Sequence, residues 1–277
     1  MKHFRFRFWL FLIFVGIFCV QTSCSGVDTH FVDSTGNYRY FPVEFLPGLT
    51  FETTKVFSSE ETNSENQLIR VCRFDKYRTK ISVVDIEGTP VAGEIHYIES
   101  NYEAQVGETS TSQKRGELEG KTIIFKPANQ VSIDGKHLNE EESFGFRLIG
   151  FDYLFLPEKL DISSSNVFEL PESRLRELNH FLRLFKVLPD ASRVAVKLAK
   201  ESKTDLSSKK DIWIFDIHWE VSALIVGKNP KGIKMNLAGK LKYSATNKGI
   251  VYFELKKTDS DKNDSSFNII VNRQFYK

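Results

Sequence analysis

The chain has 277 residues, 38 basic and 36 acidic side chains, 24 phenylalanines and three cysteines. Three of the basic residues, Lys2, Arg5 and Arg7, lie in the first 23 positions with no acid beside them, so residues 24–277 carry a net charge of −1. That balance excludes a basic nucleic-acid-binding protein. Three cysteines exclude a disulfide scaffold. About 254 residues can bury a real core, as one large domain or two small ones.

The first element is a leader. Phe8 to Val20 is an unbroken apolar run of 13 residues, preceded by basic residues and followed by Gln21, Thr22 and Ser23. A helix needs about 20 apolar residues to cross a bilayer, so this run matches a secretory signal core instead. Cys24 follows directly. The stretch from Val20 to Gly26 resembles a bacterial lipobox, in which the cysteine carries lipid after cleavage. The usual leucine three residues before the cysteine is replaced by Gln21, and the apolar residue is Val20. In this the segment is similar to the relaxed lipoboxes of spirochaete lipoproteins. The resemblance covers only residues 1–24, and it implies lipidation of Cys24, export, and an outer-membrane anchor facing the periplasm or the cell surface. Ordinary signal-peptidase cleavage near Ser23 and an uncleaved anchor are the competing readings.

Residues 24–165 predict a β-rich N-terminal part. Tyr38–Phe45, Thr50–Phe57, Gln67–Phe74, Thr79–Ile86 and Val91–Ile98 have the aromatic and β-branched content of strands. Lys121–Phe125 and Ser143–Phe155 continue that pattern. Pro47-Gly48, Glu87-Gly88 and Asp134-Gly135 mark turns. Ser58–Asn66 and Glu108–Gly120 are polar and predict exposed connectors. Cys72, within a predicted strand, is expected to be a small core residue. A bridge from Cys72 to Cys24 requires Cys24 to be unacylated.

Residues 166–277 predict a helix and an antiparallel meander, continuous with the preceding part or separate from it. Leu175, Leu178, Phe181, Leu182, Phe185 and Leu188 recur at helical spacing, which predicts one amphipathic helix over 171–188. Pro171 starts it and Pro189 ends it, and Arg174, Arg176, Arg183 and Lys186 lie off the apolar stripe. Arg193–Lys200, Asp211–Val226, Gly232–Ser244, Gly249–Lys257 and Phe267–Phe275 predict the meander. The fold class is therefore α+β, mostly antiparallel sheet.

Asp211–Val226 carries the best chemical constellation. Strand alternation puts Trp213, Phe215, Ile217 and Trp219 on one face and Asp216, His218 and Glu220 on the other. Carboxylate, imidazole and carboxylate on one face can bind a metal or act as acid and base. A half-exposed strand shows the same alternation. Asp259, Asp261 and Asn263 begin like a calcium loop, but Asp264 stands where glycine is needed and Ile270 where the bidentate glutamate belongs. No cofactor motif is recognisable. These observations predict an exported, lipid-anchored binding or scaffolding protein, with an envelope protein, a glycan or a host component as partner. A metal-dependent hydrolase on the Asp216 strand and a lipid carrier are the alternatives.

Overall fold

The computed structural model describes residues 38–62, 67–107, 110–127, 130–138, 150–161, 167–184, 187–199, 211–225, 231–258 and 266–276. The leader, Cys24 and the calcium-like run from Asp259 to Asp264 lie outside them. In chain order the strands are β1 (Tyr38–Tyr40), β2 (Thr50–Thr62), β3 (Leu68–Val84), β4 (Pro90–Val106), β5 (Ser110–Arg115), β6 (Thr122–Lys126), β7 (Gln130–Ile133) and β8 (Lys136–His137). A 3-10 helix (Phe151–Phe155), β9 (Lys159–Asp161), β10 (Val167–Glu169) and helix α1 (Glu172–Leu184) follow. The C-terminal strands are β11 (Val187–Leu198), β12 (Ile212–Ile225), β13 (Lys231–Ser244), β14 (Gly249–Lys257) and β15 (Ser266–Tyr276).

One 13-stranded antiparallel sheet runs through both parts of the chain, in the order β10-β11-β12-β13-β14-β15-β2-β3-β4-β6-β7-β8, with β5 also on β4. The joint is β15 on β2, paired from Ser266↔Glu60 to Tyr276↔Thr50. A two-stranded pair, β1 with β9, stands apart. The class is thus mostly antiparallel β with a single helix among the described residues, as the alternating patterns predict.

Several boundaries differ from expectation. β3 and β4 are 17 residues each. The two strands predicted at Gln67–Phe74 and Thr79–Ile86 are one, because Asp75–Arg78 stays paired with both β2 and β4, and β4 likewise runs past Ile98. For the same reason Ser58–Thr62 extends β2 and Ser110–Arg115 pairs with β4, where polar connectors were expected. The first predicted strand shrinks to Tyr38–Tyr40, and Phe41 beyond it inserts into the core against Trp213, Phe215 and Tyr243 at ring-centroid distances of 5.7, 5.0 and 5.6 Å. Phe151–Phe155 is a 3-10 helix rather than strand, with Phe151, Asp152, Leu154 and Phe155 buried. The α-helix ends at Leu184 instead of Leu188. Val187 already pairs with Ile225, and Pro189 sits beside a register shift in β11, a place where a strand tolerates the missing N–H. Cys72 is exposed, because the inward residues of β3 are Ile69, Val71 and the odd positions on to Ile81.

The inner face of the sheet is covered in two apolar clusters. The larger joins the β11–β15 meander to the 3-10 helix and to Leu178 and Leu182 of α1. Its aromatic pairs include Phe151–Phe253 at 5.3 Å and Phe155–Trp219 at 5.8 Å. The smaller covers β3, β4, β6 and β7 around Ile81, Ile95 and Ile123, with Phe45 and Phe51.

Arg174 departs from the expected surface helix residue. It is 5% exposed. Its Nη1 donates to the Leu156 carbonyl at 2.5 Å and the Leu154 carbonyl at 3.3 Å, and its Nη2 donates to Glu158. A buried carbonyl stripped of its donor bears a desolvation cost. Arg174→Ala is expected to lower unfolding stability by roughly 3 kcal/mol in urea titrations. A change within about 0.5 kcal/mol, the range of an ordinary surface substitution, would refute this role.

Candidate functional site

The Asp216, His218 and Glu220 side chains stand together on the outer, solvent face of β12, as strand alternation predicts, and Trp213, Phe215, Ile217 and Trp219 are buried on the inner one. The three are 51%, 54% and 56% exposed. His218 Nε2 lies 3.1 Å from Glu220 Oε1. Each carboxylate has a basic residue across the strands. Asp216 pairs in register with Lys197 and Lys240, and Glu220 with Arg193. His218 faces Ala195 and Ala238. This is a cross-strand charge ladder in water, where each pair contributes little. No group of three His, Cys, Asp or Glu side chains suited to a metal occurs among the described residues. His218→Ala is expected to shift stability by less than about 0.5 kcal/mol and to leave bound metal unchanged in elemental analysis. A stoichiometric, His218-dependent metal would reverse that conclusion.

Cys72 is also on the outer face, opposite Glu103. Partial burial and that carboxylate push its thiol up, away from the reactive thiolate.

The inner face carries the more unusual chemistry. Two neighbouring rungs of the sheet hold polar groups between the two apolar clusters. One rung reads Val271, Lys55, Asp75, Ser100 across β15, β2, β3 and β4. The next reads Arg273, Thr53, Tyr77, Tyr97. Alternation forces this: Phe51 and Phe57 point inward, so Thr53 and Lys55 between them do too.

Asp75 and Arg273 each meet an opposite charge from outside these rungs. Arg73 Nε lies 2.6 Å from Asp75 Oδ2, and Ser100 Oγ donates to Asp75 Oδ1 at 2.7 Å. Arg273 forms a two-pronged pair with Asp152 of the 3-10 helix, Nη2 to Oδ1 at 2.9 Å and Nη1 to Oδ2. The Arg273 and Asp152 side chains are 4% and 1% exposed. Burial works against the Arg273 charge, and Asp152 more than restores it. The Arg273 guanidinium also lies 5.1 Å from the Tyr153 ring centroid. A Cβ at Gly150 would overlap both Asp152 Oδ1 and Arg273 Nη2, so only glycine fits beside the pair.

Lys55 is the unbalanced member. It is 9% exposed, and among the described residues no hydrogen bond or ion pair within 4 Å holds its ammonium. Among the described residues, three cations therefore share two carboxylates. Burial pulls the Lys55 ammonium down to about 7, with Asp75 resisting and Arg73 reinforcing the fall. Burial also pushes the Tyr77 and Tyr153 hydroxyls up to about 12 and holds the Tyr97 hydroxyl well above its usual range. Tyr77 and Tyr97 stack across the strands with centroids 5.1 Å apart.

The sequence contained a signal for this site. Lys55 falls in phase with Phe51 and Phe57, so a strand with that apolar face must carry a lysine inside. Arg73-Phe74-Asp75-Lys76 contained none, because its one apolar residue, Phe74, is out of phase with the inward face.

No protein-family model matches the chain, and none of the curated proteins matches it in sequence. Two solved structures are similar at a low level. A structure of lipovitellin describing its lipid–protein interactions matches with a TM-score of 0.41 and 8% identity, over 84% of this chain and 26% of that one. A DUF1329 family protein from Desulfovibrio piger matches with a TM-score of 0.19 and 9% identity, over 82% of this chain and 84% of that one. The chain thus spans about a quarter of the lipovitellin chain.

A buried lysine that titrates near neutrality gives a signed pH effect. Its folded value lies below that of the unfolded chain, about 10.4. The unfolded state binds the extra proton between those values, so the stability lost to Lys55 is lost in full below pH 7 and regained as pH rises toward 10. Lys55→Met is expected to be more stable than the parent by up to about 4 kcal/mol near pH 6, shrinking toward pH 9.5. Parallel urea titrations at both pH values check this, and a difference that does not vary with pH would contradict it.

Proposed function

We propose that this chain is an exported, non-enzymatic binding protein, held on an envelope membrane by lipid on Cys24, with its ligand site on the inner face of the sheet. The observation that carries the binding side is the surplus cation at Lys55. A buried charge without a counter-charge is costly, so Lys55 either sheds its proton near neutrality or keeps it against a bound anion. The outer Asp216 strand supports a hydrolase less well, since its charged groups face water and oppose basic residues in neighbouring strands.

The anchor rests on the leader: basic residues, a 13-residue apolar core, and a lipobox-like end at Cys24. Several acyl chains hold a protein firmly, because each buried CH₂ contributes about 0.8 kcal/mol. Among the described residues no helix is long and apolar enough to cross a membrane. Cells given labelled palmitate should incorporate it into the parent protein, and Cys24→Ala should remain unlabelled and leave the membrane fraction. Label retained in Cys24→Ala would overturn the anchor.

A further inference from the structure

We infer that Lys55 is the anion-receiving group of the inner-face site, and that its ligand is an amphiphile carrying a single negative charge, such as a fatty-acid carboxylate or a phosphodiester head. The inference rests on the binding reading above and adds the ligand's chemistry.

Charge decides the number. Arg73 is matched by Asp75 and Arg273 by Asp152, which leaves one ammonium without a counter-charge among the described residues. One monoanion restores neutrality. A dianion would bring its second charge close to Asp75 and Asp152, where like charges repel strongly at low dielectric. Among the described residues those two carboxylates, with Arg73 and Arg273, are the charged groups that bear on Lys55.

Surroundings decide the body of the ligand. On one side the next rung holds Ile269 and Phe57 with Arg73, and on the other it holds Phe275, Phe51, Thr79 and Ile95, while Val271 lies beside Lys55 itself. Thr53, Ser100, Tyr77 and Tyr97 supply hydroxyls within the polar rungs. A few fixed polar groups set among apolar and aromatic side chains suit a ligand with a polar head and an apolar body. A free inorganic ion would surrender its hydration there and gain no apolar contact. An amphiphile gains the contact as well as the ion pair.

The pH dependence follows from the same lysine. The anion needs the ammonium form, and Lys55 in the free protein is pulled down to about 7. Affinity should therefore fall as pH rises above neutrality.

The test uses the full mature chain and cis-parinarate, a fluorescent fatty acid, with oleate, oleyl alcohol and inorganic phosphate as competitors. The parent should bind the probe near pH 6 and lose affinity toward pH 9. Oleate should displace it, and neither oleyl alcohol nor phosphate should. Lys55→Met should bind roughly tenfold or more weakly, and Lys55→Arg should keep most of the affinity. Thermal unfolding shows whether each variant is folded. Equal binding by parent and Lys55→Met would remove Lys55 from the site while leaving a binding protein. Displacement by oleyl alcohol as effective as by oleate would overturn anion recognition, and displacement by phosphate would overturn the amphiphile. No probe bound by the parent would end the ligand assignment, leaving the anchor to the palmitate result.

Discussion

The pair between Arg273 and Asp152 is the contact on which the arrangement depends. It spans 121 positions of chain and joins the C-terminal strand to the 3-10 helix. With the Asp152 carboxylate fixed on Arg273, the residues around it have little choice. Phe151 and Phe155 enter the larger cluster against Phe253, and Tyr153 lies between the clusters, touching both. Arg174 then fastens the next turn of chain by holding the Leu154 and Leu156 carbonyls. A buried pair of this kind is not a large net source of stability, since desolvation offsets most of the attraction. Its effect is specificity. Losing either partner leaves a buried charge at a cost of about 3–5 kcal/mol, so alternative seatings of the 3-10 helix are excluded.

The joint of β15 on β2 gives that contact its position. The last strand of the chain pairs along 11 residues with an early one. The pairing puts Arg273 beside Thr53 and Val271 beside Lys55, and β3 adds Tyr77 and Asp75 on the same rungs. The polar belt therefore assembles only when both parts of the chain have joined. Neither half carries it alone: Lys55 and Asp75 come from one side, and Arg273 comes from the other. A contact of such long sequence separation carries a large loop-closure cost in the unfolded chain.

What could be read from the sequence was what alternation controls locally. Ile212–Ile225 separates an apolar face from a polar one without exception from Phe215 to Glu220, so both faces of β12 were legible there. The helix was legible from Leu178 and Leu182, but its end was not, because Val187 and Leu188 satisfy a helical stripe and a strand equally well. Pairing with β12 decides in favour of the strand. Arg174 was placed on the surface because a charged residue normally is; its burial depends on carbonyls from a segment 18 to 20 residues earlier. Cys72 was misplaced because Val71 and Phe74 beside it are apolar, while the phase of β3 is set by Ile69 and Ile81. The belt depends on cross-strand register, which no single segment encodes.

The two charged faces of this sheet differ in what a charge can do there. On the outer face Asp216, Glu220, Lys240 and Arg193 exchange water for one another at little gain, and salt screens what remains. On the inner face the same types of side chain lie between apolar layers, where fields reach further and a single surplus charge perturbs every neighbour. Lys55 is drawn to the edge of neutrality there, and three tyrosines are held in their protonated forms. A sheet stabilised by packing alone would have placed an apolar residue between Phe51 and Phe57 and kept Asp75 outside. The lysine between Phe51 and Phe57 therefore marks a position where the chain gives up stability.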